Sequence, residues 1–69
     1  MEMLPVTSSN IAAVGYDADK QRLRVQFHDG ALWEYEQISP DIHEALMAAE
    51  SKNGYFRATI RGKKPASRL

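Results

Sequence analysis

Arg22-Leu23-Arg24-Val25-Gln26-Phe27, then His28-Asp29-Gly30, then Ala31-Leu32-Trp33-Glu34-Tyr35-Glu36: two runs of alternating character around a polar turn predict a β-hairpin. In the first run Leu23, Val25 and Phe27 fall on one face, and Arg22, Arg24 and Gln26 on the other. If the turn has three residues with Gly30 in the left-handed region, Phe27 faces Ala31, Val25 faces Trp33 and Leu23 faces Tyr35. If Asp29-Gly30 is a two-residue turn instead, Trp33 falls beside Gln26 and Tyr35 beside Arg24. Side chains alternate with period two, so a one-residue slip carries a whole face across the sheet. The three-residue turn is expected. A chain this small can hardly spare its only tryptophan from the core, and the other register aims Glu34 and Glu36 inward at a desolvation cost. On the expected register Trp33 is a core residue, and Trp33→Ala should cost ~3–5 kcal/mol.

Upstream, Ile11 to Tyr16 is a further strand with Ala12, Val14 and Tyr16 on one face. Asp17-Ala18-Asp19-Lys20 is a polar four-residue loop that pairs Tyr16 with Gln21, which sets Val14 opposite Leu23 and Ala12 opposite Val25. Met3-Leu4-Pro5-Val6-Thr7 is apolar but broken by proline, so it reads as an edge strand or an extended arm. Ser8-Ser9-Asn10 favours a turn. Downstream, Ser39-Pro40-Asp41 starts a helix: serine as N-cap, proline at the first helical position, and an acid in the first turn to complement the dipole. Ile42, Ala45, Leu46 and Ala49 form one apolar stripe, leaving His43, Glu44, Met47 and Glu50 outside it. A shorter helix follows near Ser51 unless Asn53-Gly54 makes a turn. It gathers Tyr55, Phe56, Thr59 and Ile60 on one face and ends at Gly62. Pro65 to Leu69 reads as frayed. The predicted class is α+β: an antiparallel meander of three to four strands followed by one or two C-terminal helices packed on one face. Residues 1–62 form a single domain and residues 63–69 a flexible basic tail.

The chain has 69 residues, enough for one small core. Hydrophobic residues make up 43% and charged residues 26%, a globular rather than disordered mixture. The absence of cysteine excludes disulfides and thiolate chemistry. No apolar run approaches the roughly 20 residues of a membrane span, and Met1-Glu2-Met3 does not open like a signal peptide, so the expected location is the cytoplasm. The zero net charge hides a strong segregation. Residues 1–50 hold all nine acids against Lys20, Arg22 and Arg24, a net of −6. Residues 51–69 hold Lys52, Arg57, Arg61, Lys63, Lys64 and Arg68 with no acid, a net of +6. Such an end attracts polyanions.

Catalysis has little to stand on. Ser8 or Ser9 with His28 and Asp29 supplies the residue types of a hydrolytic triad, but nothing in the sequence assembles them or provides an oxyanion hole. Asp17-Ala18-Asp19 lacks the further ligands and the glycine of a calcium loop and reads as a solvated turn. No enzyme activity, metal or cofactor is expected. The basic segment is the better candidate. Arg57 and Arg61 stand one helical turn apart, with Lys63 and Lys64 beyond; arginine offers bidentate contacts to phosphate and lysine a point charge. Arg22 and Arg24 form a secondary patch on the outer face of the sheet. The competing structural account is a solvated helix face paired with Glu44 or Glu50. Exposed rings among cations would favour single-stranded RNA, whose bases can stack. In the expected register, however, Trp33 and Tyr35 are buried.

Val6 through Ile11, Gly15-Tyr16-Asp17, Leu23 through Gly30, Trp33-Glu34-Tyr35, Ser39-Pro40, and Ala49 through Phe56 with Ile60 together resemble the KTSC domain, over about residues 6–61. That domain occurs at the C-terminus of some lysyl-tRNA synthetases and as small stand-alone proteins of bacteria and phages. The family's central feature is an aromatic-x-aromatic pair, usually two tyrosines; Trp33 departs from it at the first position. The resemblance implies a small binding module with RNA as the proposed partner and brings no catalytic residues. It leaves open a protein-interaction module, such as a small regulator docking on a larger protein.

Overall fold

The computed structural model describes all residues, 1–69. The central hairpin is built from β3 (Arg22–Phe27) and β4 (Leu32–Tyr35) in the expected register: Leu23 opposite Tyr35, Val25 opposite Trp33 and Gln26 opposite Leu32. The Gly30 N–H donates to the Phe27 carbonyl and the Phe27 N–H to Ala31. Gly30 sits at φ +92°, the left-handed conformation the three-residue turn demands.

To one side lie β2 (Ile11–Asp17) and the edge strand β1 (Met3–Pro5). After β4 the chain forms α1 (Pro40–Ala48) and α2 (Lys52–Thr59), then returns as β5 (Ala66–Arg68) beside β4. The result is a five-stranded antiparallel sheet in the order β1-β2-β3-β4-β5, an α+β fold with both helices on one face. No helix is long and apolar enough to cross a membrane.

Three details depart from the sequence reading. The β2–β3 loop holds four residues but is Ala18–Gln21, so Tyr16 faces Leu23 and Val14 faces Val25, two positions from the expected pairing. Asp17 ends β2 opposite Arg22, its carboxylate accepts the Asp19 and Lys20 N–H groups, and Gln21 closes the loop at φ +53°. A two-residue shift preserves the faces, but an irregularity between Ile11 and Ala13 does not. It leaves Ala12 as the extra residue and turns Ile11, fully buried, toward the core in its place.

Residues 66–68 are a strand rather than a frayed end. The Glu36 N–H donates to the Pro65 carbonyl and the Leu69 N–H to Leu32, which closes the free edge of β4. Both outer strands are only three residues long, the usual protection of a sheet edge.

Helix α1 starts as expected, the Ser39 hydroxyl accepting the Ile42 N–H, but it is rotated. Ala45 is exposed, while His43 and Met47 are half-buried beside Ile42 and Leu46. In α2 the Ser51 hydroxyl caps Gly54; the helix ends at Thr59, earlier than the expected Gly62, and Gly62 at φ +75° lies in the turn that follows, with the Lys63 and Lys64 N–H groups both reaching the Ile60 carbonyl.

The core is the space between the sheet and the helices, filled by Ile11, Val14, Leu23, Val25, Tyr35, Ile38, Leu46, Phe56 and Ile60. Phe56 meets Tyr35 and Phe27 edge to face, at centroid distances of 5.2 and 5.7 Å.

Candidate nucleic-acid interface

Two rows of side chains cross the inner face of the sheet. One runs Tyr16, Leu23, Tyr35, Ala66 and the other Val14, Val25, Trp33, Arg68. Helix α2 covers the first at Tyr35, through Phe56, but the chain turns at Gly62 before it covers Trp33. Trp33 therefore lies on the core face, as its register requires, yet is only half-buried. The expectation that it is a core residue is corrected by where the helix ends, not by the hairpin.

The uncovered space is a cleft of about 560 Å³ lined by Asn10, Phe27, Asp29, Ala31, Trp33, Tyr35, Arg61, Gly62 and Ala66. That volume suits a small organic group. Phe27, Trp33 and Tyr35 give it aromatic walls, Trp33 and Tyr35 lying nearly parallel with centroids 6.5 Å apart. Arg61 stands on the helix side; Asn10 and Asp29 come from the loops opposite. Burial pushes the Tyr35 phenol above its ordinary pKa, and the charge of Arg61 acts against that rise.

The predicted cations divide into two groups. Arg22 lies 3.6 Å from Glu34 and 3.4 Å from Glu36, and Arg24 is 3.0 Å from Glu34. These are the only contacts within 4 Å between opposite charges, so the outer face of β3 and β4 is internally neutralised. Arg57, Arg61, Lys63 and Lys64 have no carboxylate partner; Glu44 and Glu50 do not reach them. Arg57, Arg61 and Lys63 are exposed and Lys64 is half-buried. The helix ends before Lys64, so the basic stripe continues as a turn, in which the Lys63 ammonium also donates to the Ala58 carbonyl.

The sequence reading missed the cleft as a unit. Its parts come from loops, strands and a helix end far apart in the chain, and the only local signal was an aromatic pair beside a glycine turn.

Ser8, His28 and Asp29 are closer than the sequence suggested, but their bonds are structural. The His28 Nε2 lies 2.9 Å from the Ser8 carbonyl oxygen, which only accepts, so that nitrogen carries the proton. The Ser8 hydroxyl accepts the Asn10 and Ile11 N–H groups, and the Asp29 carboxylate accepts the Ala31 N–H.

The KTSC domain family matches residues 7–63. A crystal structure of a KTSC domain protein from Yersinia pestis superposes with a TM-score of 0.95 at 32% identity, covering 99% of this chain and 96% of that one. A small protein of Stutzerimonas stutzeri is 34% identical over 61 residues, covering 88% of this chain and 86% of the relative. A lysine–tRNA ligase of Nostoc punctiforme is 33% identical over 61 residues, covering 88% of this chain and 11% of the ligase. With a family match over most of its length and the same fold throughout, the chain belongs to the KTSC domain family.

Proposed function

We propose that this domain is a non-catalytic RNA-binding module that holds the phosphate backbone with Arg57, Arg61, Lys63 and Lys64. The observation that carries this reading is the division of the cations: Arg22 and Arg24 on β3 are paired with Glu34 and Glu36, while those at and beyond the end of α2 have no carboxylate within 4 Å. Unpaired arginines and lysines on one end provide the charge that displaces counterions from a nucleic acid. The related segment of a lysine–tRNA ligase lends the reading support, since tRNA is what that enzyme ligates. A protein partner added along a sheet edge is less favoured, because each edge strand offers three residues of template and β1 ends in Pro5.

The test is a titration of tRNA or a short single-stranded RNA across salt concentrations. Affinity should fall linearly on logarithmic axes, and Arg57→Ala with Arg61→Ala should reduce the slope by about 0.7 for each phosphate that is no longer neutralised. An RNA that fails to bind even at low salt overturns the reading.

A further inference from the structure

Resting on the RNA reading above, we infer that the cleft between β4 and the end of α2 takes one unpaired nucleobase, stacked on Trp33, with an adjoining phosphate held by Arg61.

Three features of the cleft converge on that occupant. The first is its walls. Trp33, Tyr35 and Phe27 present aromatic surface; Phe56 fixes Tyr35 and Phe27 by edge-to-face contacts, and Trp33 lies against Tyr35 so held, with centroids 6.5 Å apart. Base–aromatic stacking is tolerant of sequence, and a pre-ordered ring loses little entropy on binding.

The second is charge. Arg61 lines the cleft without a carboxylate partner, with Arg57, Lys63 and Lys64 nearby in sequence and Arg68 directly across the strand pair from Trp33. A planar group with an attached anion suits a ring beside a guanidinium; a purely apolar ligand would leave Arg61 facing it unpaired.

The third is the polar end opposite. One oxygen of Asp29 accepts the Ala31 N–H and the carboxylate retains acceptor capacity, while Asn10, whose Nδ2 donates to the Asn53 Oδ1 at 3.4 Å, keeps its amide oxygen open. Every RNA base carries an N–H donor on its pairing edge, free only when unpaired. A carboxylate in the cleft therefore favours a single strand and repels a bare phosphate, which places the backbone on the Arg61 side.

Trp33 is the only tryptophan, so its fluorescence reports this cleft alone. The probes are a short mixed-sequence single-stranded RNA, the duplex of that sequence, and the same strand with its bases removed. Fluorescence of the protein and polarisation of labelled RNA are followed together at low salt. The intact single strand should quench Trp33 saturably and bind roughly 5- to 150-fold tighter than the abasic strand, the range expected for one stacked base. The duplex should bind without quenching. Trp33→Leu should weaken the intact strand by a similar factor and leave the abasic strand unchanged, whereas Trp33→Phe, which keeps a ring and the packing, should retain most of the affinity. If the intact and abasic strands bind equally, or Trp33 fluorescence stays constant at saturation, the cleft is not a base site, although backbone binding stands. If no RNA binds at low salt, the RNA reading fails first.

Discussion

The imidazole of His43 lies flat on the phenol ring of Tyr16, with centroids 4.2 Å apart and planes 9° from parallel. Tyr16 in turn donates its hydroxyl to the Ile38 carbonyl at 2.6 Å, so this stack ties β2 to the start of α1. Burial holds the His43 pKa below its ordinary value and pushes the Tyr16 phenol up, with the charge of Asp17 adding to the latter.

The first prediction concerns pH. A histidine whose pKa is depressed in the folded state is kept neutral there but charges freely when unfolded. Between the two pKa values the unfolded state binds more protons, so stability rises with pH across that window. His43's contribution is therefore complete above its unfolded value near 6.5 and is lost as pH falls through the folded value. Urea midpoints of the wild type should fall between neutral pH and pH about 5 more steeply than those of His43→Phe, which keeps an aromatic stack but does not titrate. Parallel pH profiles for the two proteins would contradict this.

The second prediction sets Phe56 against Trp33. Phe56 is 1% exposed and supports two other rings, so Phe56→Ala should cost ~3–5 kcal/mol, as for a fully buried aromatic. Against a total stability of roughly 3–10 kcal/mol for a chain of this length, that removes between about a third and all of it. Trp33 is only half-buried, so Trp33→Ala should cost about 1–2.5 kcal/mol, below the value expected of a core residue. Equilibrium urea unfolding of both variants tests the ranking, and a Trp33 cost equal to that of Phe56 would mean the cleft is closed in solution.

The hairpin was legible because two constraints agreed: Gly30 permitted a three-residue turn, and that turn alone placed Leu23, Val25, Trp33 and Tyr35 together. For β2 they did not compete, since loops at 17–20 and 18–21 leave the same face inward, and only the bond pattern around Asp17 separates them. Ala45 misled the reading of α1 because alanine adds so little area that a helix gains by rolling toward Met47 and the His43 ring. Ala66-Ser67-Arg68 carries no strand signal at all: its side chains are exposed, and its conformation is set by backbone groups that β4 leaves open. The cationic end was readable as a series of residues, but which cations stay unpaired depended on Glu34 and Glu36 lying across the hairpin from Arg24 and beside Arg22.

The third prediction tests β5. A protein truncated after Lys64 lacks the Pro65 acceptor of the Glu36 amide and the Leu69 amide that satisfies Leu32. Because the side chains of Ala66 to Arg68 are exposed, the deficit is mainly of backbone bonds, each worth ~0.5–1.5 kcal/mol before the entropy of ordering the strand is subtracted. The truncated domain should remain folded, with a modestly lower urea midpoint and faster hydrogen exchange at Glu36. Unchanged protection of that amide would show that β5 is not docked in solution.

The last prediction separates the two groups of cations. Arg24 lies 3.0 Å from Glu34, whose side chain is 15% exposed, and Arg22 shares the same carboxylate. An arginine that leaves such a partner for a phosphate strands a shielded carboxylate, which offsets much of the gain. Arg22→Gln with Arg24→Gln should therefore leave the salt slope of RNA binding almost unchanged while lowering stability by about 0.5–2 kcal/mol, since Glu34 is then without either partner. Arg57→Gln with Arg61→Gln should do the opposite, flattening the slope at little cost in stability, because neither guanidinium is bonded to a carboxylate. If the sheet arginines instead carry the salt dependence, RNA lies across the outer face of the hairpin and opens the ion pairs as it binds.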